Sequence, residues 1–196
     1  MPDAGRVIAG RARGIRLLAP GEGTRPLADR VKQTLFAILE PDLDGARFLD
    51  LFAGSGAAGI EALSRGAAAA VFVERDAAAG RTIEANLARA SLAGPAARVV
   101  RADVLGYLAG RAVADGPFDV VVADPPYADT ALLEAVLRRL GAGGEGAVLA
   151  PAARVVATHF WRTAPPARAG LLASERARRF GETALTFYRP TDQEAE

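Results

Sequence analysis

The 196-residue sequence is 51% apolar and has a net charge of +1, which suits one folded domain and excludes wholesale disorder. Cysteine is absent and His159 is the only histidine, so the sequence offers neither a disulfide nor a thiolate or multi-histidine metal site. We expect a structural role for His159. No secretory signal follows Met1, and no charge-free apolar run is long enough to span a membrane. We therefore expect a cytoplasmic, metal-free protein that has no membrane contact. We also expect a monomer.

The first 32 residues contain seven basic and three acidic side chains, a net charge of +4. Two short apolar segments, Val7–Ala9 and Ile15–Ala19, flank a Gly10–Gly14 turn and predict a basic hairpin. Such an arm favours contact with nucleic-acid phosphates, with a merely solvated hairpin as the alternative. We predict that residues 1–26 form an RNA-binding extension, and that deleting residues 1–19 leaves a folded domain. Its candidate RNA contacts are Arg6, Arg11, Arg13, Arg16, Arg30 and Lys32.

Helical spacing of apolar residues predicts a helix over Asp29–Leu39, and from Arg47 onward strands alternate with helices. That alternation predicts an α/β, Rossmann-like fold with a mostly parallel sheet over residues 27–190, followed by a tail at 191–196. Gly170–Arg178 and Thr183–Tyr188 are separated only by a short turn, so the seven-stranded sheet ends in an antiparallel hairpin. The five preceding strands are predicted at Phe48–Phe52, Ala70–Val73, Arg98–Arg101, Phe118–Ala123 and Ala147–Ala150.

A glycine-rich loop follows the first of these strands. Gly54-Ser55-Gly56 and Gly59 form the pattern G-x-G-x-x-G, in which glycines allow a tight turn and close approach of the backbone to a ligand. Glu74 follows Gly54 by 20 residues, where an acid that binds ribose is expected. This pattern predicts a nucleoside-binding domain and leaves both NAD and S-adenosylmethionine open.

Acidic residues at the strand ends begin to separate these two cofactors. Asp50 lies inside the first strand, where it would face the cationic amino-acid end of S-adenosylmethionine but would repel the pyrophosphate of NAD. The alternative is a strand carboxylate that accepts hydrogen bonds from backbone amides. Asp103 follows the third strand, where it can accept from the adenine amino group or simply cap the next helix.

The sequence Asp124-Pro125-Pro126-Tyr127 follows the apolar strand Phe118–Ala123, at the sheet edge where α/β proteins bind ligands. Two prolines fix the backbone and remove two N–H donors, which leaves the Asp124 carboxylate and the Pro125 carbonyl as rigid acceptors. Two acceptors can hold both hydrogens of an amino group on a base, and Tyr127 can stack on that base. The loop therefore favours methyl transfer to an exocyclic amine over an ordinary proline turn.

Several further motifs resemble those of a known family, the bacterial small-subunit ribosomal RNA guanine-N2 methyltransferases (the RsmD family). The resemblance extends from Arg6 to Pro190. Its motifs are Arg6-Val7-Ile8-Ala9-Gly10 with Gly14 and Leu17, Thr24-Arg25-Pro26 with Asp29-Arg30-Val31 and Leu35-Phe36, Leu49-Asp50-Leu51-Phe52-Ala53-Gly54-Ser55-Gly56, Glu61-Ala62-Leu63-Ser64-Arg65-Gly66, Phe72-Val73-Glu74, Asp124-Pro125-Pro126-Tyr127 and Arg179-Phe180-Gly181-Glu182-Thr183. The sequence departs from the family pattern at Leu27, at Gln33 and at Ala150-Pro151, which places fine cofactor contacts in question.

The resemblance implies that S-adenosylmethionine is the cofactor, without a metal, and that a guanine N2 in the 16S rRNA of the small ribosomal subunit receives the methyl group. It implies that Asp124, Pro125, Pro126 and Tyr127 form the catalytic loop. The cofactor contacts that it implies are Arg25, Asp50, Phe52, Gly54, Ser55, Gly56, Glu74, Arg75, Asp103, Val104 and Asp124.

Three other functions stay open on the residues alone. Adenine-N6 and cytosine-N4 methyltransferases also use an acidic or amide residue followed by Pro-Pro and an aromatic residue. An NAD-dependent oxidoreductase would fit the glycine pattern, although the sequence offers it no catalytic constellation. A non-catalytic RNA-binding assembly factor would not need the Asp124–Tyr127 loop.

Overall fold

The computed structural model describes residues 3–21, 28–144 and 146–192. The chain divides into two compact units, Met1–Asp103 and Val104–Glu196. The N-terminal hairpin belongs to the first unit. The expected boundary at residue 26, between the hairpin extension and the rest of the chain, does not coincide with the division between these units. No helix in the described ranges has the length and apolar character needed to cross a membrane.

Unit 1 combines a small hairpin with a parallel sheet. The sheet has the order β5-β4-β3. Strands β3 and β4 are buried on both faces, as parallel strands between helices usually are, whereas β5 is half-buried. The two hairpin strands lie at Asp3–Arg6, before the predicted Val7–Ala9, and at Arg16–Leu18, within the predicted Ile15–Ala19, because residues 9–14 form bends and turns. The elements are β1 (Asp3–Arg6), β2 (Arg16–Leu18), α1 (Asp29–Leu39), a 3-10 turn (Glu40–Asp42), β3 (Arg47–Leu51), α2 (Ala57–Ser64), β4 (Ala69–Glu74), α3 (Ala77–Arg89) and β5 (Ala97–Arg101).

Unit 2 joins one parallel strand pair to an antiparallel hairpin, with the strand order β6-β7-β10-β9-β8. Two short elements, α5 and β8, have no counterpart in the predicted pattern. The elements are α4 (Val104–Ala109), α5 (Ala112–Asp115), β6 (Phe118–Ala123), α6 (Thr130–Leu140), β7 (Leu149–Phe160), β8 (Arg168–Ala169), β9 (Leu172–Phe180) and β10 (Thr183–Pro190). The α/β fold with parallel strands and a C-terminal hairpin is thus confirmed.

The strand predicted at Ala147–Ala150 is wrong in extent, since β7 continues to Phe160. Pro151 looks like a strand end because proline cannot donate to a ladder. The structure accommodates it in an irregularity: Phe118 of β6 pairs with Leu149, but Val120 pairs with Arg154. Beyond that irregularity the register is regular as far as the Ala123–Ala157 pair, which fixes the neighbours of the loop after β6.

Candidate functional site

A strained glycine loop connects β3 to α2. Phe52, predicted as the last strand residue, instead leaves the strand with φ of 63°, and Gly54 and Gly56 have φ of 56° and 76°. Glycine adopts this left-handed conformation readily, whereas phenylalanine does so at a cost. A β-carbon on Gly56 would lie 3.0 Å from Cγ2 of Ile83. The loop therefore turns and packs where side chains would not fit.

Gly59, the last glycine of the pattern, brings α2 onto the sheet. A β-carbon at this position would lie 2.3 Å from the ring of Phe72 on β4, so no larger residue fits without rearrangement. This is the helix–strand packing that the third glycine of such loops provides. The spacing of the three glycines thus reflects backbone geometry and does not discriminate among nucleoside ligands.

Two carboxylates hold the loop in place. Asp50 is almost fully buried, and its Oδ2 accepts a hydrogen bond from the backbone N–H of Gly59 at 2.9 Å. Glu74 accepts from the N–H groups of Gly54 at 2.9 Å and Asp76 at 2.8 Å, one on each oxygen. The backbone-amide alternative for Asp50 is therefore present in the structure. Each carboxylate oxygen offers two acceptor positions, so Glu74 retains capacity for ribose hydroxyls.

The other predicted cofactor residues differ in their surroundings. Ser55 is buried, and its carbonyl accepts from the Asn86 amide at 2.9 Å. Arg75 is exposed beyond the end of β4. Asp103 is exposed two residues beyond Arg101, which pairs with Glu74 across β4 and β5. Unit 1 thus brings the ends of β3, β4 and β5 together. Val104 is the first residue of unit 2, and Arg25 lies outside the described residues.

Unit 2 contains the Asp124–Tyr127 loop, and a neighbouring threonine orients its carboxylate. The pairing of Ala123 with Ala157 places Thr158 beside Asp124, and the Thr158 hydroxyl donates to Asp124 Oδ1. Burial raises the pKa of Asp124 to about 6, an effect that the Thr158 hydrogen bond partly opposes. Oδ1 is therefore anchored within the sheet by Thr158.

Tyr127 is also held by a threonine. Its phenolic oxygen lies 2.9 Å from Oγ1 of Thr183 on β10, within hydrogen-bonding distance. Next to the loop is a cavity of about 180 Å³. Its lining residues include Pro125, Pro126, Tyr127, Thr158 and Pro165. Neither threonine was predicted from the sequence; Thr158 was missed because β7 was ended too early, and Thr183 belonged to a resemblance motif without an assigned role.

His159 has the structural role expected for it. Its Nδ1 lies 2.9 Å from the Phe160 carbonyl and its Nε2 lies 2.9 Å from Thr186 Oγ1. Because a carbonyl can only accept, Nδ1 carries the proton and Nε2 accepts from the hydroxyl. Burial lowers the His159 pKa, in agreement with a neutral ring.

The N-terminal hairpin is fastened to unit 1 through buried side chains. Glu61 on α2 is fully buried and accepts from the N–H groups of Ile8 and Ala9, at 2.7 and 3.0 Å. Ser64 accepts from the Ala12 N–H and donates to the Ala9 carbonyl. A β-carbon on Gly10 would lie 1.9 Å from the Ser64 carbonyl oxygen. The Glu-Ala-Leu-Ser motif of the resemblance is therefore a docking site for the hairpin.

The predicted RNA contacts are only partly at the surface. The prediction that Lys32 contacts RNA is wrong. Its ammonium group is fully buried, donates to the Arg6 carbonyl and lies 3.9 Å from Asp29. Burial lowers the Lys32 pKa, and the side chain cannot reach a phosphate. Arg6, Arg13 and Arg30 line a cavity of about 370 Å³ between the hairpin and α1. The exposed members of the predicted set are Arg6, Arg11, Arg13, Arg16 and Arg30.

Comparison with solved structures defines the class of this fold. SMU.776, a proposed methyltransferase solved in complex with SAH, shares the fold at a TM-score of 0.63 and 14% identity, over 80% of this chain and 48% of its own. The proposed methyltransferase yhhF of Escherichia coli is much more similar, with a TM-score of 0.81 and 35% identity over 96% of this chain and 98% of its own. The fold is that of the S-adenosylmethionine-dependent methyltransferases.

Within that class the family is defined by sequence. The model of the family described as conserved hypothetical protein 95 matches residues 5–189, so the chain belongs to this family, which is the RsmD family that its motifs resemble. The proposed rRNA methyltransferase YlbH of Bacillus subtilis is 38% identical over 94% of this chain and 98% of its own. Ribosomal RNA small subunit methyltransferase D of Escherichia coli K12 is 44% identical, over 62% of this chain and 60% of its own.

Proposed function

We propose that this protein transfers a methyl group from S-adenosylmethionine to the N2 amino group of a guanine in 16S rRNA of the small ribosomal subunit. The observation that carries the proposal is the acceptor loop after β6: Asp124 is fastened by Thr158, two prolines follow it, and Tyr127 is held by Thr183. The names of both relatives support rRNA as the substrate, and that of the Escherichia coli relative supports the small subunit. Guanine N2 as the target rests on the resemblance of motifs.

The residues of unit 1 suit a nucleoside cofactor. The glycine loop offers a turn without β-carbons at Gly54 and Gly56, and Glu74 lies beside it with acceptor positions to spare. We assign Glu74 to the ribose hydroxyls, Asp103 to the adenine amino group and Asp50 to the cationic amino-acid end. Bound S-adenosylmethionine would supply an electrophilic methyl group on a cationic sulfur.

The chemical role of Asp124 follows from the amine. Its free oxygen and the Pro125 carbonyl accept the two amino hydrogens, which turns the nitrogen lone pair out of conjugation with the ring. That lone pair forms the new N–C bond while the C–S bond breaks and its electrons remain on sulfur. The methylated nitrogen then loses one proton, to Asp124 or to water. Positioning provides most of the rate enhancement in such a displacement.

The basic hairpin would bind the RNA around the target. Removing a base from its stack costs a few kcal/mol, which contacts elsewhere must offset. Exposed arginines provide such contacts through phosphates without reading sequence. We assign this role to Arg6, Arg11, Arg13, Arg16 and Arg30.

The decisive test is methyl transfer to small ribosomal subunits from a strain that lacks this protein, followed by mass spectrometry of the nucleosides. We expect N2-methylguanosine, whereas N6-methyladenosine or N4-methylcytidine would reassign the target base. No transfer to any rRNA substrate would refute the proposed function.

Two variants distinguish the residue that binds the target base from the residue that binds the cofactor, when methyl transfer and cofactor affinity are both measured. Asp124→Ala should abolish transfer while S-adenosylhomocysteine affinity stays within about tenfold, or roughly 1.4 kcal/mol, of wild type. Glu74→Ala should weaken that affinity, since charged hydrogen bonds are worth roughly 1.5–3 kcal/mol. Loss of cofactor binding in Asp124→Ala would show that Asp124 had been assigned to the wrong ligand.

A further inference from the structure

A second concentration of positive charge lies on unit 2, on the edge strand β9. Arg176, Arg178 and Arg179 are all exposed there. Arg162, which follows Trp161 just beyond the end of β7, is exposed as well. Unit 2 as a whole has ten arginines against eleven acidic residues, so this concentration is local. The acid on the same strand, Glu175, is occupied by ion pairs with Arg154 at 3.1 Å and Arg189 at 3.2 Å.

Two of these arginines are ordered by an aromatic ring. The Arg179 guanidinium lies 3.4 Å from the centroid of the Trp161 ring, and that of Arg162 lies 4.9 Å from it. Arg179 Nε also donates to the Gly181 carbonyl at 2.9 Å. Stacking and this hydrogen bond hold the Arg179 guanidinium beside Trp161, on the face of β9 opposite to that of Arg176 and Arg178, whose guanidinium groups face solvent.

The strand register places this surface near the acceptor loop. Arg178 pairs with Leu185 on β10, and Leu185 pairs with Thr158 on β7, the residue that donates to Asp124. Adjacent strands are about 4.8 Å apart, so the Cα atoms of Arg178 and Thr158 are separated by roughly 10 Å. If one base of an RNA strand is held at Asp124, the phosphates of the neighbouring nucleotides are close enough for the long arginine side chains of β9 to contact them.

We propose that Arg176 and Arg178, which lie on the same face of the sheet as Thr158, form a second RNA-binding surface, which holds the backbone of the nucleotides that flank the target base. This inference rests on the proposed function for the identity of the RNA. Beyond its two-residue pairing with β8, the outer edge of β9 has no strand partner in the described part of the chain. Charged residues on such an edge also prevent strand pairing between molecules. If the arginines of β9 had only that role, substituting them would leave RNA binding unchanged.

The test measures binding of the full-length protein to small ribosomal subunits purified from a strain that lacks it. Arg176→Ala/Arg178→Ala removes two exposed charges whose side chains make no ion pair among the described residues. We expect the dissociation constant to rise about tenfold, and the slope of log K against log salt to fall by about 1.4, or 0.7 for each lost phosphate contact. Affinity for S-adenosylhomocysteine should not change.

Two controls make the result specific. Arg81→Ala/Arg138→Ala removes the same charge from exposed positions of α3 and α6, and should bind the subunits like wild type. Arg176→Lys/Arg178→Lys keeps the charge and should recover most of the affinity. If the alanine double variant binds no more weakly than the helix control, the surface does not bind RNA. Because binding is measured apart from methyl transfer, a failure of the proposed function would appear as absent transfer by the wild type.

Discussion

The carboxyl group of Asp124 is under two opposing influences. Burial raises its pKa to about 6, and the Thr158 hydroxyl favours the ionised form. To accept an amino hydrogen on its remaining oxygen, the carboxylate must be ionised, whereas folding favours the neutral acid. Such conflicts between stability and function are common where chemistry occurs.

The first prediction concerns pH. We expect kcat/KM for methyl transfer to fall as pH is lowered through about 6, by tenfold per pH unit below it, because protonation removes the acceptor. The measurement is a kcat/KM profile from pH 5 to 8 with small ribosomal subunits as substrate. A profile that stays flat down to pH 5 would contradict the role given to Asp124.

Thr158→Val tests the hydrogen bond itself. The substitution keeps the shape of the side chain and removes the donor, so the Asp124 pKa rises further and the acidic limb of the profile moves to higher pH. For each pH unit by which the midpoint moves, kcat/KM at a pH below the midpoint falls by up to about tenfold. Thr158→Ser retains the hydroxyl and should keep the wild-type midpoint. Equal midpoints in all three proteins would refute this positioning role.

Asp124→Asn should stabilise the protein at pH 7.5. The folded-state pKa is raised from 3.8 to about 6, so the stability contributed by the acid is complete below pH 3.8 and is lost as pH rises through 6. The neutral amide avoids that loss, and we expect a gain of about 1–3 kcal/mol in urea unfolding at pH 7.5. The difference should largely disappear at pH 4. A variant that is less stable than wild type at pH 7.5 would contradict the assignment.

The hairpin β1–β2 is bound to the helices of unit 1 by buried polar side chains. Glu61 and Ser64 on α2 bind the hairpin turn, and Asn86 on α3 binds both backbone groups of Leu18. Deletion of residues 1–19 would remove the backbone partners that Glu61, Ser64 and Asn86 have in the hairpin, and leave Glu61 with Arg65 and Asn86 with Ser55. The expectation that the rest stays folded is therefore not supported, and exposed arginines must be tested by substitution.

Glu61→Gln measures this docking. Glutamine has one acceptor oxygen where two backbone N–H groups and Arg65 Nε now donate, and its amide group would face a donor. Breaking a buried charged pair typically costs 3–5 kcal/mol, and we expect a loss of about 3 kcal/mol in urea unfolding. Glu84→Gln, at an exposed position of α3, should change stability by less than about 0.5 kcal/mol. A similar small change for Glu61→Gln would show that the hairpin is only loosely attached.

RNA binding by the hairpin should depend on salt. We expect Arg11→Ala/Arg13→Ala/Arg16→Ala to raise the dissociation constant for small ribosomal subunits at least tenfold. The slope against log salt should fall by about 2, since three phosphate contacts to unpaired RNA are lost. The protein should remain folded because all three side chains are exposed. An unchanged slope with normal turnover would remove the hairpin from the RNA-binding surface.

The periodicity of the chain was sufficient for much of the fold. The helix at Asp29–Leu39 and the strand at Phe118–Ala123 begin and end as predicted, because local apolar spacing sets them. The first hairpin strand and β7 were misplaced because their pairing depends on a distant partner. The partner of β7 is β6, and the irregular register between them accommodates Pro151, which in the sequence looks like a strand end.

The candidate site shows the same division. The glycine loop, the acids at the strand ends and the Asp-Pro-Pro-Tyr loop could be found from the sequence, because each depends on residues that are adjacent or regularly spaced. Only the tertiary structure placed Thr158 beside Asp124 and Thr183 beside Tyr127, removed Lys32 from the surface, and gave Glu61 its buried partners. These contacts join residues 26 to 56 positions apart in the chain. Strand register and burial decide them, and neither is encoded in a local pattern.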